Sequence, residues 1–494
     1  MRAVWLGIVR SPHVVYLILA VIFTSVFITA IPPMTTPDAP QHFTRAYAIS
    51  VGKIAPSEQG PGTFGNSLAD ESTFNLEVGF QPTSDGYYLP QSIVAYAMGA
   101  EYATSPLAIN AAHPGEAFVY ENQTEGTSPV AYLPQVLALL IGRLFTDSPA
   151  ALAYLQEVML ATIWIVGMTV VIRIAPFGKW PLLLIALLPT QIQDSFQLGA
   201  DVMTSLPFVL IAALLIRRAS CARPDVPGTI PEFALMSILA VMTTQAKVVM
   251  LPAVLLLLAY PLGFTYIDYG KGTFLTSLWK RLLGVIPAIV GILLWSQHSQ
   301  SIGRGLRDVY IVAPNRLELL ESSPIAAFAD WLKSCVQWAC NQFDYPGLIC
   351  GLRSGNARIP STIALAALFI IMAMICTCSG KPLSSASSAE KSAKPDPGAA
   401  SNLPRTARLI INTVCIITAL GVLAATLLSM YIIWTPIGAY GLLGVQQRYL
   451  LPCLYVLVML VPPKPFRASN TLIRGLCTGT AIVLFCISVA VILH

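Results

Sequence analysis

Residues 31–50, IPPMTTPDAPQHFTRAYAIS, place Asp38, His42 and Arg45 within eight positions, directly after an apolar run. A carboxylate there could take the proton of an attacking hydroxyl, and the neighbouring bases could hold an anion. Four more ionisable groups fall in or beside other apolar runs: Glu157, Asp201 in QLGADVMTS, Lys247 in TTQAKVVML and Arg448 in GVQQRYLLP. Such groups are costly at membrane depth unless paired or hydrated, so they read first as a functional site. Each also has a plainer role open to it. Asp38 and Asp201 stand where a helix N-cap would stand, and Lys247 and Arg448 could snorkel to headgroups. His42 gains weight only by sharing a helical face with Asp38, four residues earlier.

The elements that must hold these groups follow from composition. Charged residues make up 11% of the 494 and hydrophobic residues 55%, with a mean hydropathy of +0.69. A soluble chain carries roughly 25% charged residues; this one cannot clothe itself in polar surface, so lipid is its main solvent. The expected fold is all-α and polytopic, with about eleven spans, at 13–32, 149–172, 180–197, 201–216, 232–246, 248–266, 282–297, 360–378, 409–434, 447–463 and 471–493. A further apolar stretch, 129–145, is short and carries Pro129 and Pro134. It reads as an amphipathic helix in the interface.

Charge supports that choice. With 129–145 outside the spans and the N-terminus in the cytoplasm, 18 of the 29 lysines and arginines fall in inner segments, as the positive-inside rule asks. Between 33 and 128 there are ten acids but only Arg45 and Lys53 as bases, the pattern of an exported loop. The chain thus reads as one membrane-embedded domain over 1–494. It has an outer loop at 33–148, a second at 298–359, and a flexible Ser/Ala/Pro/Lys-rich cytoplasmic linker at 379–408. The first span lacks a cleavage site and reads as an anchor. Cys335, Cys340 and Cys350 share the second outer loop, where one disulfide could form. No ligand spacing suggests a zinc site, and no nucleic-acid partner is expected.

PPMTTPDAPQHFTRAYAISVGK resembles the signature PP-x-x-x-PDE-P-x-HF-x-RA-x-x-I-x-x-G of the DUF2142 family of bacterial membrane proteins. SPVAYLPQVLALLIGRLF is similar to its Y-x-PQ segment, LLPTQIQDSFQLGADVMT to its LP…S-x-D turn, TTQAKVVMLP to its lysine hairpin, and GVQQRYLLP to its GVQGRY-x-x-P. These motifs are collinear over about 30–460. The family in turn resembles the GT-C glycosyltransferases, multi-spanning enzymes with an acidic motif in the first outer loop and juxtamembrane helices after it.

That resemblance implies transfer of a sugar from a polyprenyl-phosphate donor to a glycan or lipid-linked acceptor outside the cytoplasm. Asp38 would be the general base. Arg448 and Lys247, with His42 or Arg45, would hold the leaving phosphate. Asp201, Gln446, Tyr449 and Tyr132 would line the substrate site, with Tyr87 and Tyr88 as further sugar-binding aromatics. The family's Asp-Glu is Asp38-Ala39 here, and its Q-G-R-Y is Gln446-Gln447-Arg448-Tyr449. Losing the Glu disfavours a divalent metal unless Asp201 or Glu157 supplies a ligand, and metal-independent inverting transfer is the expectation. The competing classes are a flippase or exporter of lipid-linked saccharides, and a non-catalytic partner in their assembly.

Overall fold

The computed structural model describes residues 11–36, 38–61, 83–99, 113–120, 124–221, 227–265, 275, 277–301, 318–341, 405–460 and 470–493. Among the described residues, six helices are long and apolar enough to cross a membrane. They are α1 (Pro12–Ala30), α5 (Pro149–Ile174), α8 (Asp201–Cys221), α11 (Leu278–Ser301), α13 (Arg405–Trp434) and α15 (Asn470–Leu493). Three more expected windows are shorter apolar helices: α9 (Ile230–Ala246); a 3-10 turn Val248–Val254 running into α10 (Leu255–Leu258); and a 3-10 turn Gln447–Leu450 running into α14 (Leu451–Leu460). The window 360–378 and most of the linker lie outside the described residues; the linker's last four positions already belong to α13.

The window 180–197 is not one span but two short helices, α6 (Lys179–Ala186) and α7 (Pro189–Phe196). Pro189 explains the break. It lacks an N–H and pushes Leu188 into an extended conformation (ψ 139°), and it suits the first turn of the next helix. All eight residues of α7 are buried, among them Gln191, Gln193 and Asp194. A helix wrapped on every side by protein can carry amides and an acid that lipid would reject. Around it α8 packs on α9, α5 and α14, while α7 packs on α5 and α1.

The first loop departs from an all-α fold. After α2 (Ala39–Ser50) come β1 (Glu58–Pro61), β2 (Thr83–Pro90), α3 (Gln91–Met98) and β3 (Glu116–Tyr120), and the strands form an antiparallel sheet in the order β1-β2-β3. Alternation explains β2: Tyr87 and Leu89 join the main core with Ala117 and Val119. Tyr88 faces the other way, edge-on to Phe118 and stacked on His113 at 3.8 Å.

The stretch 129–145 becomes a 3-10 turn (Pro129–Tyr132) and α4 (Leu133–Gly142). Ten residues span about 15 Å, too little for a crossing. Its inner face packs on α5 and α2, and its outer face exposes Leu133, Leu137, Leu140, Leu144 and Phe145, the last two by 77% and 81%.

On α12 (Pro324–Asn341), in the second loop, Cys335 and Cys340 are both free thiols. Any pairing with Cys350 lies outside the described residues.

Candidate functional site

Three of the four ionisable residues singled out by their apolar surroundings, Asp201, Lys247 and Arg448, meet at one end of the bundle. Asp201 opens α8, Lys247 follows the last residue of α9, and Arg448 sits in the 3-10 turn ahead of α14. Lys247 Nζ pairs closely with Asp201 Oδ1, and Arg448 Nη2 lies 3.4 Å from Asp201 Oδ2. Asp194, from the end of α7, completes the group with Oδ1 3.4 Å from Arg448 Nε. The cluster is thus two carboxylates against two cations, contributed by four elements. Only Lys247 is substantially reachable, with 31% of its side chain exposed; the other three are at 15% or less. Its ammonium lies 4.6 Å from the centre of the Tyr449 ring, within cation–π range, and the Arg448 guanidinium lies 5.7 Å from the same ring. Gln446 caps the turn from behind, its carbonyl accepting from the Tyr449 N–H at 3.0 Å.

His42 borders this group from α2. Its Nδ1 is 2.7 Å from the hydroxyl of fully buried Tyr132. Its ring lies beside Gly199, where even a methyl group would be in contact at 3.8 Å. Gln135, one turn into α4, donates to the Gly199 carbonyl at 3.1 Å and fixes the 197–200 turn from which Asp201 projects. Burial pushes the His42 imidazole down to about 4, partly offset by Asp201 and Asp38. His42 is therefore neutral near pH 7 and enters as a hydrogen-bonding group, not as the cation the sequence suggested.

Asp38 is exposed, immediately ahead of α2, and close enough for its charge to act on His42. It is not serving as a helix cap, because its side chain makes no cap hydrogen bond. It also sits in the left-handed region at φ 61°, as does Met34 at φ 70° in the same proline-rich segment. Asp tolerates that region better than most residues, but it still costs of order 1 kcal/mol, a kind of strain that gathers at functional sites.

Arg45 does not join the cluster, although it lies only three residues past His42. Its guanidinium is taken up instead by Glu125, 2.6 Å from Oε2, and both side chains are fully buried. Arg45 also donates to the Ile54 carbonyl at 2.8 Å, and the Tyr87 phenol donates to Glu125. Desolvation raises the Glu125 carboxyl, with Arg45 and Tyr87 opposing it. This pair ties α2 to the loop ahead of α4. Tyr87 and Tyr88 are likewise engaged, with Glu125 and His113. Glu157, 3% exposed within α5, is outside the cluster and acts on Tyr96 of α3 instead. Among the described residues, no three His, Cys, Asp or Glu side chains are grouped so as to hold a metal ion.

Against known proteins, the family model of predicted membrane proteins termed DUF2142 matches residues 21–458. The chain belongs to this family. The match takes in every member of the cluster, so the buried ion pairs of this DUF2142 protein lie inside the family's own boundaries. None of the curated proteins and none of the solved structures compared with it matches the chain.

Proposed function

We propose that this DUF2142 protein transfers a sugar from a polyprenyl-phosphate donor to an acceptor on the outer side of the membrane. In this reading Asp38 takes the acceptor hydroxyl's proton, while Lys247 and Arg448 hold the leaving phosphate. The observation that carries it is the meeting of Lys247, Arg448 and Asp201 beside His42 and Asp38, at one end of a bundle whose walls face lipid. A phosphate on a lipid tail meets a protein at that depth, and cations in a partly desolvated setting suit its developing charge. The outward orientation draws support from the opposite end of the bundle. Arg173, Lys179, Arg217, Arg218, Lys280, Arg281, Arg408 and Arg474 all lie at helix ends remote from the cluster, as expected of a cytoplasmic face.

The test uses the purified protein in liposomes with polyprenyl-phosphate monosaccharides, following release of polyprenyl phosphate by mass spectrometry. Asp38→Asn should lower turnover by about 10²–10⁴-fold, the usual worth of a general base, with donor binding kept within a few-fold. Wild-type turnover in that variant would refute the role. The broken helix α6–α7, with buried Gln191, Gln193 and Asp194, favours a second reading, a flippase for lipid-linked saccharides. In that case labelled lipid would cross the bilayer in Asp38→Asn liposomes without any sugar being transferred.

A further inference from the structure

We propose that Asp201 is an internal competitor of the donor phosphate: carboxylate and phosphate share the same two cations, Lys247 and Arg448, so that binding one releases the other. The inference rests on reading the cluster as a lipid-phosphate site.

Geometry supplies the first support. One carboxylate divides its two oxygens between two cations from different elements, Oδ1 to Lys247 and Oδ2 to Arg448. A phosphate offers at least two oxygens to the same pair of donors. Charge supplies the second. Asp201 already offsets charge on both Lys247 and Arg448, and Asp38 adds a negative charge nearby. A phosphate approaching the two cations while Asp201 holds them meets its carboxylate as well. Taking that carboxylate's place removes the repulsion.

Of the two acids, Asp201 is the one placed to yield. It holds both cations, whereas Asp194 touches Arg448 only through Nε and leaves Nη2 turned toward Asp201. Asp194 is itself held by Gln197, whose Nε2 lies 3.4 Å from its Oδ1. Lys247 is the exposed limb, and the Tyr449 ring supports its ammonium independently of the carboxylate. Asp201 also stands in the first turn of α8, where the helix N-terminus stabilises its negative charge after release.

Farnesyl phosphate, titrated against the full chain in nanodiscs, reads the competition directly. Asp201→Asn should bind it roughly tenfold more tightly than wild type, and Lys247→Gln roughly tenfold more weakly. A residue that merely shaped the site would weaken binding when replaced, so the sign decides. In the unaltered protein, infrared difference spectra with ¹³C-aspartate should show a carboxylate band shifting as farnesyl phosphate binds, a readout that needs no variant to fold. Binding only by Asp201→Asn, with wild type below detection, would also support the proposal. If wild type binds and Asp201→Asn binds no more tightly, or no carboxylate band moves, the competition is refuted while the phosphate site stands. If neither binds, the phosphate reading fails and the competition with it.

Discussion

Replacing Arg45 with Met should destabilise the protein by an amount that grows with pH. The guanidinium lies 2.6 Å from Glu125 in a fully buried pair. Without it Glu125 keeps the Tyr87 phenol but no cation, and desolvation already raises its carboxyl. Burial without a cation favours the protonated carboxyl in the folded variant, whereas the unfolded chain ionises it in the ordinary carboxylate range. Unfolding then releases a proton above that range, so the variant's stability falls as pH rises. At neutral pH the loss should approach the roughly 3–5 kcal/mol expected for breaking a buried pair.

Glu125→Gln should behave differently. The stranded guanidinium cannot lose its proton in this range, so this site gives the variant's own stability no pH slope. The double variant Arg45→Met/Glu125→Leu removes both charges and should recover most of the loss. Thermal unfolding in detergent between pH 5.5 and 7.5, read by tryptophan fluorescence, compares all three. A pH-independent loss in Arg45→Met, or wild-type stability, would refute the reasoning. A loss of farnesyl phosphate binding in the stable double variant would return Arg45 to the site.

His42 gives the opposite pH dependence. Its folded value near 4 lies below the ordinary 6.5, so the stability it contributes is complete above pH 6.5 and is lost as pH falls toward 4. Comparing the acid limbs of the melting curves of wild type and His42→Asn should show a shallower decline in the variant. Gln135→Leu leaves the Gly199 carbonyl without its donor. It should cost about 1–3 kcal/mol in melts and lower turnover by misplacing the turn before Asp201. Cysteines introduced at Leu144 and Phe145, the most exposed apolar positions of this stretch, should resist a water-soluble maleimide in liposomes and react after detergent is added, if that face lies in lipid.

Much of the site was legible because an ionisable residue inside an apolar run has few reasons to be there. Asp201, Lys247 and Arg448 carried that signal and do converge. Asp194 carried it too, in QIQDSF, where an acid and two amides interrupt an apolar window; reading the window as a continuous span hid it. Pro189 marked the break in that window just as openly. Glu125 had no such signal, being one of ten acids in a polar loop, so the partner that claims Arg45 could not be found from spacing. Nor could the neutrality of His42, which comes from burial among elements up to hundreds of residues away. The sheet was missed for a similar reason: β1 and β2 pair across residues 62–82, and a four-residue strand gives periodicity too short a run to register.

The ion pairs also set an order of assembly as the chain enters the bilayer. Lys247 and Asp201 belong to consecutive helices that pack on each other, so this hairpin can insert with its charges already neutralised. Asp194 and Arg448 are about 250 residues apart, roughly 13–50 s of synthesis at ordinary rates of about 5–20 residues per second. Throughout that interval Asp194 is already made and its guanidinium is not, and in a lipid setting the protonated acid is the cheaper form to hold. The last helices to be made therefore do more than finish the wall of the bundle: Arg448 brings the cation that faces both Asp194 and Asp201.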